Sequence, residues 1–280
     1  MIEQAQGLSP TALEAIADLE RRCLAADGGR LKLEWGTLRS RATDEVRDLL
    51  WWEDGALCGF LGIYGYRAGV FEVTGMVDPP KRRRGIGRAL LEQALVLLEA
   101  RGGGQLLLVV PRGSAGGRAL ANAYGMAHEH SEHALRLDDR PAPATPGPPL
   151  RLRPATEADI PLLSRLYLDA FGDGEVNPDR LSGERSRTLV ILLEELAVGT
   201  IALARDGARG GVYGFVIDAP LRGRGIGGRA LRQACAELLE AGAEYVELEV
   251  EVDNDRALGL YTALGFRPLA TDDYYELVLG

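Results

Sequence analysis

Two short segments of this chain carry residue types that bind phosphate. Arg222-Gly223-Arg224-Gly225-Ile226-Gly227-Gly228 and Arg82-Arg83-Arg84-Gly85-Ile86-Gly87-Arg88 both join closely spaced glycines to arginines. Each lies between a strand-like run and a run of helical period. Glycine removes the side chain and lets backbone amides converge on one point. The first amides of the following helix have no intrahelical partner, and the helix dipole puts partial positive charge at the same end. The arginines add full charges, so each segment is a candidate pyrophosphate cradle. Neither ends in the Gly-Lys-Ser/Thr of a P-loop. Gly225 to Ala230 fits the dinucleotide spacing GxGxxA, but the first segment has Leu90 at the third position. Three or four strands also precede each loop, where a dinucleotide fold has one.

The two segments belong to a repeat. At an offset of 140 residues, positions 77–126 match positions 217–266 at 17 identities without a gap, where chance gives roughly three or four at ordinary composition. A period of this length is too long for a solenoid and reads as two copies of one domain. Between the copies, residues 138–149 hold five prolines, which remove amide donors and fix φ. The expected division is therefore 1–138, a Pro-rich linker at 139–149, and 150–280. Each copy shows the same order of elements: a helix (11–26; 158–171), three strands (47–52, 57–66, 70–77; 187–193, 197–204, 211–218), a helix (86–100; 226–241), a strand (105–110; 245–252) and a closing strand (132–137; 274–279). A short strand at 150–153 and a helix at 256–264 are legible only in the second copy. Strands on both sides of the long helix give an α/β fold with a mixed sheet.

Composition sets outer limits. The chain has 280 residues, 46% apolar and 26% charged, with a net charge of −9, and its pI is near 5.0. An acidic chain is poorly suited to nucleic acid, which demands excess Lys and Arg. No apolar run reaches the ~20 residues of a membrane helix. The first residues show no basic flank and apolar core, so no signal peptide is expected. Cys23, Cys58 and Cys235 lie far apart and form no ligand pair or disulfide framework, which fits a reducing cytoplasm. His128, His130 and His133 read as a solvated turn or edge strand, and no metal site is expected.

On these motifs the chain resembles a tandem member of the GNAT acetyltransferase family. The family's acetyl-coenzyme A signature, Arg/Gln-x-x-Gly-x-Gly/Ala, is matched by Arg82, Gly85 and Gly87 and again by Arg222, Gly225 and Gly227. A second signature is matched by Asn254, Ala257, Leu260-Tyr261 and Gly265-Phe266. In the first copy Ser114, Gly117, Leu120-Ala121 and Gly125-Met126 stand there instead. The resemblance implies two GNAT-like acyl-CoA N-acyltransferase domains, with acetyl-CoA as cofactor and a small-molecule or peptide amine as acceptor. It implies that the fourth and fifth strands splay and that the pantetheine arm lies between them. Phe215, Val216 and Ile217, and Gly75, Met76 and Val77 in the first copy, would then offer their backbones to the arm. The loops Arg222 to Gly228 and Arg82 to Arg88 would hold the diphosphate, and Asn254 would contact the arm or its neighbouring backbone.

The implied reaction is direct attack of a neutral amine on the thioester, which requires a base for the amine's proton and benefits from a proton donor to the leaving thiolate. The resemblance gives Tyr261 the donor's role. The family's usual base is a Glu on the fourth strand; Glu72 stands there in the first copy and Val212 in the second. One copy thus has the tyrosine and the other the carboxylate. In the second copy Glu247, Glu249 and Glu251 share one side of a strand, and Glu249 is the candidate base. Asp173, Glu175, Tyr274 and Tyr275 are candidate acceptor contacts. The expected activity is N-acetyl transfer in the C-terminal copy, as the resemblance implies; the alternative is a non-catalytic acyl-CoA-binding sensor.

Overall fold

A computed structural model of the chain describes residues 1–67, 69–142, 147–178, 181–183 and 186–280, with no side-chain description at 66–67. Part of the Pro-rich linker, 143–146, lies outside the described residues. In chain order the elements are β1 (Ile2–Ala5), α1 (Pro10–Asp27), α2 (Trp35–Arg39), β2 (Asp48–Glu53), β3 (Ala56–Arg67), β4 (Val70–Val77), α3 (Ile86–Glu99), β5 (Gly104–Pro111), α4 (Ala115–Ala123) and β6 (Ala127–Leu137). The second copy gives β7 (Leu150–Pro154), α5 (Ile160–Phe171), β8 (Ser186–Leu193), β9 (Leu196–Asp206), β10 (Arg209–Ile217), α6 (Ile226–Glu240), β11 (Tyr245–Glu251), α7 (Asp255–Ala263) and β12 (Arg267–Leu279). Among the described residues no helix is long and apolar enough to cross a membrane.

The compact units do not coincide with the copies. One unit is Met1–Glu132 together with Leu269–Gly280; the other is His133–Pro268. The first unit's strands run β1-β2-β3-β4-β5-β12 and the second's β11-β10-β9-β8-β7, while β6 gives Ala127–Glu132 to the first unit and His133–Leu137 to the second. The last strand of the chain lies antiparallel to β5, with Asp272 opposite Pro111 and Leu279 opposite Gly104. Its Tyr275 and Leu279 are buried in the first unit's core, while Leu135 and Leu137 of β6 are buried in the second unit's core. The division at 138 and 150 thus follows the repeat, whereas the compact units exchange the closing strands.

Both faces of each sheet are covered, which explains the near-continuous apolar strands. Leu49 of β2 packs with Ile86, Leu90, Leu91, Ala94 and Leu98 of α3. Its neighbour Leu50 packs on the opposite side with Ile16, Leu19 and Cys23 of α1. In the second unit Leu189 and Ile191 join Ile226, Leu231 and Leu238 of α6, and Val190 and Leu192 join Leu163 of α5. The buried positions of α1, α3 and α6 recur at three- and four-residue spacing, as one helical face requires. Ser9 starts α1 by accepting the amide of Ala12 at 3.1 Å. All three cysteines are buried free thiols.

The feature that positions the site is where parallel pairing stops. β4 pairs with β5 only from Val70–Gln105 to Val73–Leu108. β10 pairs with β11 only from Arg209–Tyr245 to Gly211–Glu247. Beyond these points the strands part, and the glycine loops leave from the open ends.

Removing residues 269–280 takes a strand from the first unit. Hydrogen exchange should show lost amide protection across β5, with protection across β8 and β9 retained. Near the entry to α5, Arg153 donates to Asp159 at 2.7 and 3.0 Å. These bonds hold the Asp159 carboxyl down at about 2. Its contribution to stability is present above the ordinary aspartate range and is lost as pH falls from about 4 toward 2. In acid titration of the fold, Asp159→Asn should flatten that limb.

Candidate functional site

Each cradle is built the same way. A short 3₁₀ turn, Pro79–Lys81 or Ala219–Leu221, follows the strand. The chain then passes through a left-handed glycine, Gly85 (φ 85°) or Gly225 (φ 75°), into the helix. No side chain caps α3 or α6, whereas Ser9, Ser114 and Asn254 cap α1, α4 and α7. The first helical bonds are Ala89 N to Gly85 O at 2.9 Å and Arg229 N to Gly225 O at 3.3 Å. The amides of Ile86, Gly87 and Arg88, and of Ile226, Gly227 and Gly228, precede them and remain available to an anion. Ile86 and Ile226 are buried and anchor the helix starts. Loop position 83 is left-handed, with Arg83 at φ 63°; the matching residue in the second copy is Gly223, at φ 81°.

The signature arginines have a role the sequence did not suggest. Arg82 Nε donates to the carbonyl of Val77 at 3.0 Å, and its terminal nitrogens donate to Asp27 at 2.7 and 2.6 Å. Arg222 repeats this with the carbonyl of Ile217 at 2.7 Å and Asp169 at 3.0 Å. Both charges are compensated within the fold, and each side chain ties a strand end to the first helix of its copy. The hydrogen bonds from Arg82 hold the Asp27 carboxyl below its usual range. Arg22–Asp78 at 2.6 Å and Arg165–Asp218 at 2.8 Å brace the same corners. The recurrence of Asp27 and Asp169 at the ends of their helices was the available signal. Of the other loop cations, Arg84 pairs with Glu53 at 3.3 Å and Arg88 with Glu92 at 3.8 Å. Arg83 and Arg224 are exposed.

In the first unit the splay opens onto a cavity of about 1110 Å³. Gly75, Met76 and Val77 of β4 line it, as do Arg82, Arg83 and Gly85 to Arg88 of the loop; Val109 to Ser114 and Leu269 to Thr271 close other sides. On the other edge of β4, Gly75, Met76 and Val77 pair with Leu61, Phe60 and Gly59. In the second unit Val216 and Ile217 pair with Thr200 and Gly199. The ladder there is interrupted between Tyr213 and Val216, where Gly214 is left-handed (φ 50°). Phe215 lies in this interruption. Phe215 and Ile217 also flank Gly227, each 3.5 Å from where a Cβ on that glycine would stand.

Tyr261 lies on α7 and is 8% exposed. Burial pushes its phenol up to about 12, and Phe266 lies 6.0 Å away between ring centroids. Asn254 Oδ1 accepts the amide of Ala257 at 3.1 Å, so its side chain starts α7. Ser114 does the same for Gly117 in the first copy, also at 3.1 Å. Glu249 is half-buried on β11. Its neighbour on that side, Glu247, is buried and paired with Arg209 at 2.9 Å. Asp173 accepts the amide of Glu175 at 2.9 Å in a loop turn.

Tyr274 and Tyr275 stand in the first unit, because β12 does. Tyr274 is almost fully buried and hydrogen-bonds Lys32 and Glu132. Lys32 lies 3.3 Å from Glu72. His130 stacks on Tyr274 with ring centroids 4.1 Å apart. The carboxylate of the first copy thus has a tyrosine nearby after all, supplied by the end of the chain. Spacing within a copy gave no sign of this cluster.

The model of the "Acetyltransferase (GNAT) family" matches residues 13–125 and 157–266. The chain belongs to the GNAT acetyltransferase family. It is an acetyl-coenzyme A-dependent N-acetyltransferase with two tandem GNAT domains. A relative from Clavibacter michiganensis named mycothiol acetyltransferase is 31% identical over 96% of this chain and 92% of its own. One of the same name from Geodermatophilus obscurus is 30% identical over 97% and 96%. A GCN5-related N-acetyltransferase from Sphaerobacter thermophilus matches with TM-score 0.79 at 18% identity, covering 100% of this chain and 95% of that one. A tandem GNAT protein from the clavulanic acid biosynthesis pathway matches with TM-score 0.71 at 20% identity over 100% and 99%.

The two left-handed loop positions make opposite predictions. Gly225→Ala places a Cβ in a left-handed conformation and should cost about 1–2 kcal/mol. Arg83→Gly relieves the same strain and should raise stability by about 1 kcal/mol. Denaturant unfolding of the two variants checks both signs.

Proposed function

We propose that acetyl transfer takes place in the second unit and that the first unit holds the coenzyme without turnover. The observation that carries this reading is the paired splay and uncapped helix of the second unit, with the buried phenol of Tyr261 on the helix beside them. Acetyl-CoA supplies a thioester-activated acetyl group. The amides at the start of α6 would hold its diphosphate, with Arg224 adding charge from the loop. The free edge of Phe215, Val216 and Ile217 would take the pantetheine arm. Three features support the fit: the left-handed Gly225, the absence of a side-chain cap, and the end of the β10–β11 ladder at Gly211–Glu247.

The phenol of Tyr261 is protonated at neutral pH even at its ordinary value, and burial raises it further, which suits a donor to a departing thiolate. Glu249 is the proposed acceptor of the amine's proton, directly or through water. Amine and thioester held in one orientation account for the larger part of the rate, an effect that reaches roughly 7–11 kcal/mol. For the acceptor, the relatives named mycothiol acetyltransferase support a small-molecule amine, a precursor of mycothiol. In this reading Asn254 serves the coenzyme indirectly, by fixing the start of α7.

Thiol release from acetyl-CoA, followed across a panel of small amines, tests the assignment. Tyr261→Phe should lower kcat by about 10²-fold or more while coenzyme affinity, measured by calorimetry, stays within about twofold. Full activity in that variant removes Tyr261 from the chemistry. Coenzyme binding with no turnover on any amine favours the sensor reading instead.

A further inference from the structure

We propose that Lys32 is a built-in occupant of the acceptor position of the first unit: its ammonium fills the place an amine substrate would take and closes that unit to transfer. The inference rests on the reading that the first cradle holds the coenzyme. The cradle lies at residues 82–88, and a ligand extending from it along the free edge of β4 passes Val77, Met76 and Gly75 in turn. It then reaches the apex where β4 and β5 resume pairing at Val73–Leu108. Lys32 stands at this apex. It shares a small hollow with Glu72, Thr74 and Val109, and Val109 also lines the large cavity.

The ammonium is fully engaged. It lies 3.3 Å from Glu72 and 3.5 Å from Glu132, and it donates to the phenol of Tyr274, which in turn donates to Glu132. An ammonium has three N–H donors and no lone pair. Held against two carboxylates and a phenol, it cannot attack a thioester, and at 9% exposure it leaves little room for another amine. The residue type is specific as well. Of the chain's 32 basic residues only Lys32 and Lys81 are lysines. A compact ammonium, and no guanidinium, therefore stands buried beside Glu72. Both carboxylates and the phenol are groups that would recognise a primary ammonium from outside.

The test has two arms, both on the full chain and neither requiring turnover. In the first, an amine-acylating reagent is applied to the native protein and the peptides are weighed. Conditions that label Lys81 to completion should leave Lys32 unlabelled until the protein is unfolded. In the second, Lys32→Ala is unfolded thermally with ethylammonium or tetramethylammonium chloride at equal ionic strength. The variant's midpoint should fall, then rise saturably with ethylammonium only, because the vacated site takes a primary ammonium. Lys32→Met, which keeps the apolar stem, serves if the alanine variant does not fold. Labelling of Lys32 as fast as Lys81, or equal response to both salts, overturns the proposal. Acetylation of Lys32 on incubation with acetyl-CoA does so too, since the residue is then an acceptor. Absence of amine turnover in the native chain leaves both readouts unchanged, so failure of the proposed function is distinguishable.

Discussion

A parallel ladder that stops after a few residues is the constraint on which the rest of each unit depends. Backbone groups past the last pair, Val73–Leu108 in one unit and Gly211–Glu247 in the other, lose their neighbour on that edge. Buried backbone polar groups need partners, so an open edge between two otherwise well-covered strands is a place for an extended ligand. The same separation gives the glycine loop room to turn and start a helix with bare amides at the open end. One geometric event therefore produces both halves of a binding site: an edge that suits a chain-like arm and a helix start that suits an anion. Arg82 and Arg222 keep the corner in shape by tying the strand's last carbonyl to the first helix of the copy.

On this shared scaffold the two units differ in chemistry. Capping a helix needs only a suitably placed oxygen, so Ser114 replaces Asn254 without changing how the helix begins. Proton transfer needs a particular group, and there the units diverge. Glu72 has Val212 as its counterpart, and Tyr261 has Ala121. The first unit has a carboxylate whose nearest cation is an internal lysine. The second has a buried phenol and a half-buried carboxylate side. The two copies thus share the glycine loops and uncapped helix starts and differ at these titratable positions.

How much of this was legible in the sequence follows from the range of the forces involved. The long helices, most strands and the turn glycines were readable because their causes are local, whereas the short β1, α2 and α4 of the first copy were not. Ile86, Leu90, Leu91, Ala94 and Leu98 repeat at helical spacing, and Gly85 and Gly225 sit where a left-handed residue must. The glycine loops were readable as candidate cradles for the same reason, being contiguous. The partners of Arg82 and Arg222 were not, because Asp27 and Asp169 are more than fifty residues away. The Lys32, Glu72, Glu132 and Tyr274 cluster was hidden more deeply, since its members come from four separate segments of the chain.

The sequence by itself determined that there are two copies and most of the long elements in each, and it marked the glycine loops as candidate anion sites; β1, α2 and α4 of the first copy were not read from it. Only the tertiary structure decided which sheet each closing strand completes. β6 and β12 each carry apolar residues that either core would accept, and pairing through backbone hydrogen bonds is indifferent to which copy supplies the strand. That choice carried Tyr274 from the second copy into the first unit. It rests on which long-range contacts bury the most apolar surface at once, a quantity defined only when the whole fold is assembled.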